Sequence, residues 1–312
     1  MLSRVADSLY WMARYLERAE NTTLLLDANI QLMLEQKPQA VERQLRRINL
    51  SLGQPLKIEG KISVPALEHA LIFDPQVKTS IISCVMQARE NARQVREQIS
   101  SEMWSEINGL YHFVKKYDAE DLEQELPLEF LNEVRRNLSL FKGETDATMS
   151  HGEEWWFLQF GRHMERAVNT CTMLNVHSPE LCGQADIGHL ELLALLRSCS
   201  AFEAYLKKYT AEFSAENIVE FLLLNPQHPH SILFCVRGIQ QSIAAFPVQD
   251  QRSTVERLAG RLVATLSYSS VDEILASGLN LALDNVIRQC VQVHSALHQT
   301  YIDYPIETSL PA

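Results

Sequence analysis

Two nine-residue stretches place the same ionisable groups at the same spacing: "RYLERAENT" (Arg14 to Thr22) and, 148 residues later, "RHMERAVNT" (Arg162 to Thr170). Each has an arginine, a Glu-Arg pair three and four residues on, and then Asn-Thr. At about 100° per residue on a helix, Arg14, Glu17 and Asn21 fall on one stripe, so Glu17 is within reach of both neighbours on its own helix. Arg18 points about 100° away from Glu17 and must find another partner. Such groups can do two kinds of work. Buried, Glu17 and Glu165 are bridged by arginines into a network that fixes packing register. Lining a cleft, they are catalytic candidates: either Glu accepts a proton or an amine, while Arg14, Arg18, Asn21, Arg162 and Arg166 clamp a carboxylate or phosphate.

A third polar run, "ARENARQVREQISSEMW" (Ala88 to Trp104), adds Arg89, Glu90, Asn91, Arg93 and Arg96 as candidate binding residues. Arg89, Arg93 and Arg96 share a helical face. A solvated helix face and a site component are both open readings. Other templates are missing: there is no Walker lysine loop, dinucleotide-binding glycine triplet or GxSxG elbow. His294 and His298 stand four apart, with no acidic third ligand near them in sequence, and there is no Glu-x-x-His pair. The six cysteines are scattered without close pairs, which suits buried thiols in a reducing cytosol. No metal and no cofactor are expected.

The elements that carry these residues are helices. Apolar residues recur at three and four spacing, no period-two strand stands out, and 312 residues hold only 11 Gly and 11 Pro. The fold class is all-α, with about ten helices. The first runs from about Ser3 to Glu35 and stops before Pro38. Asp74-Pro75 and Ser270 with Glu273 read as helix starts, and Pro127, Pro179 and Pro247 as breaks. A second match, "DPQVKTSIISCV" (from Asp74) against "NPQHPHSILFCV" (from Asn225), lies at an offset of 151. Two collinear matches predict a tandem duplication, residues 1–149 and 150–312, forming two pseudo-twofold-related helical bundles in one compact body. The second ER helix carries Trp155, Leu158 and Met173 where the first has Asp7, Tyr10 and Leu25. It is apolar nearly all round, so it is expected to be buried, and the first copy to be the more open.

A formal net charge of -11 argues against nucleic acid. The amino-terminal twenty residues are interrupted by charges, so they do not read as a signal peptide. No run reaches the roughly 18 apolar residues of a spanning helix, so no membrane association and a cytoplasmic location are expected.

The runs "MLSRVADSLYWMARYLERAENT", "ARENARQVREQIS" and "GRHMERA" resemble the alpha-E family of bacterial helical proteins over essentially the whole chain. The resemblance implies an all-helical fold and partners of two kinds, a circularly permuted ATP-grasp protein and a transglutaminase-like protein. This would be a system that makes or modifies peptide or amide bonds. Two functions follow as expectations. One is a non-catalytic helical partner or scaffold. The other is an enzyme or carboxylate/phosphate-binding component that uses Glu17 or Glu165 with an arginine clamp. The chain departs from the pattern at Leu24, where members often carry a basic residue, and in the second copy, which lacks the arginine that often follows ERA.

Overall fold

Thirty-one residues without a glycine or proline open the chain as one helix, α1 (Ser3–Met33). Its Leu9, Met12, Leu16 and Ala19 are buried at helical spacing. The computed structural model describes residues 3–33, 38–56, 62–117, 127–184, 188–210, 213–246 and 252–303. They form helices and connecting turns, with no strand among them.

The first part continues with α2 (Pro38–Ser51), α3 (Val64–Ile72), α4 (Ile81–Gln94), α5 (Ser101–Lys116) and α6 (Pro127–Thr148). Then come α7 (Glu153–Val176), α8 (Ser178–Leu181), α9 (His189–Ser198), α10 (Phe202–Tyr209) and α11 (Ala215–Val219). The series ends with α12 (Ile232–Ala245), α13 (Arg252–Ser267), α14 (Val271–Ser277) and α15 (Leu279–Leu297). α1 and α7 pack on each other at the centre; α4, α6 and α9 cover α1, while α12 and α15 cover α7. Glu153 and Glu154 in the first turn of α7 complement its positive end.

The expected ten helices are fifteen among the described residues. The difference lies in short pieces that apolar periodicity merges with their neighbours. Gly278, at φ +104°, cuts one apolar run into α14 and α15. The Ser270–Glu273 capping box is present at α14. Asp74-Pro75, however, does not start a helix: the Asp74 carboxylate accepts from the Gln76 N–H, and α4 begins after Ser80, whose hydroxyl accepts from Ser83 N. Ser80 also donates to the Asp74 carbonyl, so the Asp-Pro segment is a turn that feeds the cap. Pro127 and Pro179 sit at helix starts, and Pro247 lies outside the described residues.

Gly161 sets the central crossing. A side-chain carbon there would sit 2.4 Å from the Tyr10 carbonyl oxygen and 3.2 Å from the Ala13 methyl. Only glycine lets α7 approach α1 this closely, one residue before Arg162 and four before Glu165.

Candidate functional site: the crossed ER motifs

The two ER motifs bind each other. Arg14 Nε donates to Glu165 Oε2 at 2.6 Å and Arg18 Nε to Glu165 Oε1 at 2.7 Å. In return Arg166 donates from Nε to Glu17 Oε1 at 2.5 Å and from Nη2 to Glu17 Oε2 at 2.8 Å, a bidentate fork. Lys142 of α6 stands 3.7 Å from Glu17 and pairs with Glu20. Glu17, which the spacing puts within reach of Arg14 on its own helix, is held from the other helix instead, as the close crossing at Gly161 brings Arg166 to Glu17 and Glu165 to Arg14.

Glu17 is 3% and Glu165 4% exposed. Burial alone would raise both carboxyl pKa values, but Arg166 and Lys142 hold Glu17 well below the usual carboxylate range, and Arg14 with Arg18 lowers Glu165. A carboxylate held that low is a weak proton acceptor at neutral pH. The cavity beside Glu17, lined also by Asn21, Asn169 and His230, is about 10 Å³. That is the room of a single water.

The first copy is no more open than the second. Tyr10 is fully buried, its ring packed on Phe160 and stacked on His294, while Leu158 and Met173 in the second copy are 3% and 2% exposed. Arg14 Nη1 donates to the Tyr10 hydroxyl, which lies 2.8 Å from His294 Nδ1, so the network runs on into α15. Burial, then His298 and Arg14, push the His294 pKa down to about 4. Asp7, from α1, and Asp303 are acidic neighbours of His298, yet among the described residues no group of His, Cys, Asp and Glu is arranged to hold a metal.

Arg162 stands apart. It occupies the place in the second motif that Arg14 has in the first, but among the described residues no carboxylate lies within ion-pair distance of it; Lys142 and Arg166 hold Glu17 instead. Burial and the neighbouring Arg166 lower its pKa.

The residues of the polar run go elsewhere. Arg89 Nε donates to Asn108 Oδ1 at 2.8 Å, with its guanidinium 4.5 Å from the Tyr111 ring. Glu90 and Arg93 form a surface pair at 2.6 Å, and Asn91 Nδ2 donates to the Gln87 carbonyl. α4 ends at Gln94, so Arg96 is on the following turn, over Trp104 at 5.8 Å. None of these partners is Glu17 or Glu165; the buried face of α4, through Val85, Ala88 and Ala92, is what it offers to the core.

Sequence reasoning missed Lys142 and Glu20, and a second buried charge group in which Arg47 of α2 bridges Glu180 and Glu191, the latter at 2.8 Å. Nothing in their local spacing links these residues; burial of Arg47 beside Leu45 and Ile48 becomes visible only after folding.

The Alpha-E family, described as a predicted alpha-helical domain with a conserved ER motif, matches residues 1–302. The chain belongs to this family. Its similar curated proteins are uncharacterized mycobacterial ones, from Mycobacterium bovis and from two strains of Mycobacterium tuberculosis, each 23% identical over 322 aligned residues. These matches cover 94% of this Alpha-E chain but 35% of each relative, so the chain spans about a third of their length. No solved structure matches it. No described helix of this Alpha-E protein is long and apolar enough to cross a membrane.

Proposed function

We propose that this Alpha-E protein is a non-catalytic helical partner, a scaffold component of a bacterial system that forms or modifies peptide or amide bonds with an ATP-grasp ligase and a transglutaminase-like enzyme. The observation that carries the non-catalytic half is the closed pairing of Glu17 with Arg166 and of Glu165 with Arg14 and Arg18, with a water-sized cavity as the space beside Glu17. In the mycobacterial relatives the matching region is joined to further sequence, as suits a module that works beside other units. The nature of the partners comes from the family resemblance, and the proposed setting is the cytoplasm.

The reading includes two repeats, 1–149 and 150–312, related by a pseudo-twofold axis near Ala13 and Gly161. Several features support it. α12 and α13 each begin and end 151 residues after α4 and α5. Thr22 donates to the Thr79 carbonyl as Thr170 does to that of His230, and Ser80 donates to Asp74 as Ser231 does to Asn225.

A carboxylate- or phosphate-binding role is the second reading, and Arg162 is the observation that favours it. Arg14, Arg18 and Arg166 each pair with a carboxylate, while among the described residues Arg162 pairs with none.

Affinity capture from the native host with mass spectrometry tests the proposal, using the wild type and Glu17→Gln. Recovery of an ATP-grasp or transglutaminase-like protein by the wild type is expected. If neither form recovers such a partner, the scaffold reading fails.

A further inference from the structure

Away from the ER motifs, an open cleft of about 360 Å³ lies between the carboxyl-terminal part of α1, α6 and the turn from α9 to α10. That volume is at the lower end of small-molecule sites. Each wall brings one cation and one anion. On the α1 and α6 side Asp27 and Arg135 stand 3.4 Å apart. On the other side are Arg197 and Glu203, and neither forms an ion pair with another described side chain.

The turn between them is held in an uncommon shape. Ser200 has φ +47°, a left-handed conformation usually left to glycine at a helix end. Ser200 N donates to the Arg197 carbonyl at 2.9 Å and Ala201 N to that of Leu196 at 2.8 Å, which closes α9 and starts α10 immediately. As a result Phe202 comes under Arg197, with the guanidinium 5.3 Å from the ring centroid. The stacking holds the planar fork at the cleft wall and leaves its donor edge free.

We propose that this cleft binds a small zwitterion, an amino acid or short peptide, with its carboxylate on Arg197 and its ammonium on Glu203. A simple anion would meet the Asp27 and Glu203 carboxylates, and a simple cation the two guanidiniums; a ligand carrying both charges meets a partner for each. The inference rests on the cleft alone and stands or falls apart from the scaffold reading.

The test is an NMR titration of the ¹⁵N-labelled full chain with glycylglycine, its N-acetyl form and its C-terminal amide. Glycylglycine is expected to give saturable shifts at the amides of Ser200 to Glu203, with each capped form binding about tenfold more weakly or worse, the loss of one charge-assisted contact. Arg197→Gln should abolish the preference for the free carboxylate, and Glu203→Gln the preference for the free amine. Both side chains are exposed, so unchanged thermal melts are expected to show that the variants fold. Absence of saturable shifts at these amides, or capped forms that bind as well as glycylglycine, would overturn the proposal.

Discussion

Glu17 and Glu165 each accept two charge-assisted hydrogen bonds from arginine, and neutralising them leaves behind the buried guanidinium of Arg166 and the half-buried ones of Arg14 and Arg18. Glu17→Gln and Glu165→Gln are therefore expected to lower unfolding free energy by about 3–5 kcal/mol, read from urea denaturation. Glu90→Gln, which breaks only a surface pair, should leave the midpoint nearly unchanged. Arg162→Gln should cost less than Arg166→Gln, because among the described residues it breaks no ion pair; equal losses would show that the unpaired guanidinium matters as much to the fold as the paired one. At this scale the sequence was half legible. The repeated spacing singled out Arg14, Glu17 and Arg18, which the fold pairs with the second motif. It could not show that Arg14 reaches across 151 residues to Glu165, since that choice depends on how closely two helices cross.

That closeness belongs to the helices. Gly161→Ala puts a methyl onto the Tyr10 carbonyl oxygen, a backbone atom that cannot swing aside. The helices must separate, and a loss of about 1–3 kcal/mol is expected from such overpacking, measured by thermal or urea unfolding. Ser270→Ala removes the hydroxyl that accepts from Glu273 N and should cost about 1 kcal/mol. Helix content was legible from periodicity, and so was the Ser270 cap. The breaks were less so: Gly278 divides a continuous apolar pattern by backbone conformation alone, and the Asp74-Pro75 turn carries the same residue types as a helix start. The importance of Gly161 was also hidden, because a glycine within a helix marks a close approach only once its neighbour is known.

Across the whole molecule the buried and half-buried histidines are expected to govern the response to mild acid. Burial, then nearby arginines, pushes the His163 pKa down to about 3, and burial with His298 and Arg14 pushes His294 to about 4; His177, His228 and His230 are lowered too. As pH falls below about 6.5, the unfolded chain takes up protons at these sites and the native state does not. Stability therefore decreases from pH 7 toward pH 4, by about 1.4 kcal/mol per pH unit for each histidine that stays neutral in the fold. Below about 4.5 the unfolded chain also protonates the counterparts of Glu17 and Glu165, whose native pKa values are depressed, and the loss steepens. Urea midpoints at pH 7 and pH 5 check this: a lower midpoint at pH 5 is expected, and His163→Asn should flatten the difference. None of this was visible in the sequence, where ten histidines without a metal pattern gave no hint of which would be enclosed.

The paired ER motifs brace α1 against α7. A double-mutant cycle on Glu17→Gln and Arg166→Gln, followed by urea unfolding, tests this most directly. The brace predicts that each single variant loses about 3–5 kcal/mol and that the double loses less than the sum, with a coupling of about 2 kcal/mol or more. Single variants within about 0.5 kcal/mol of the wild type, with additive effects, would contradict it.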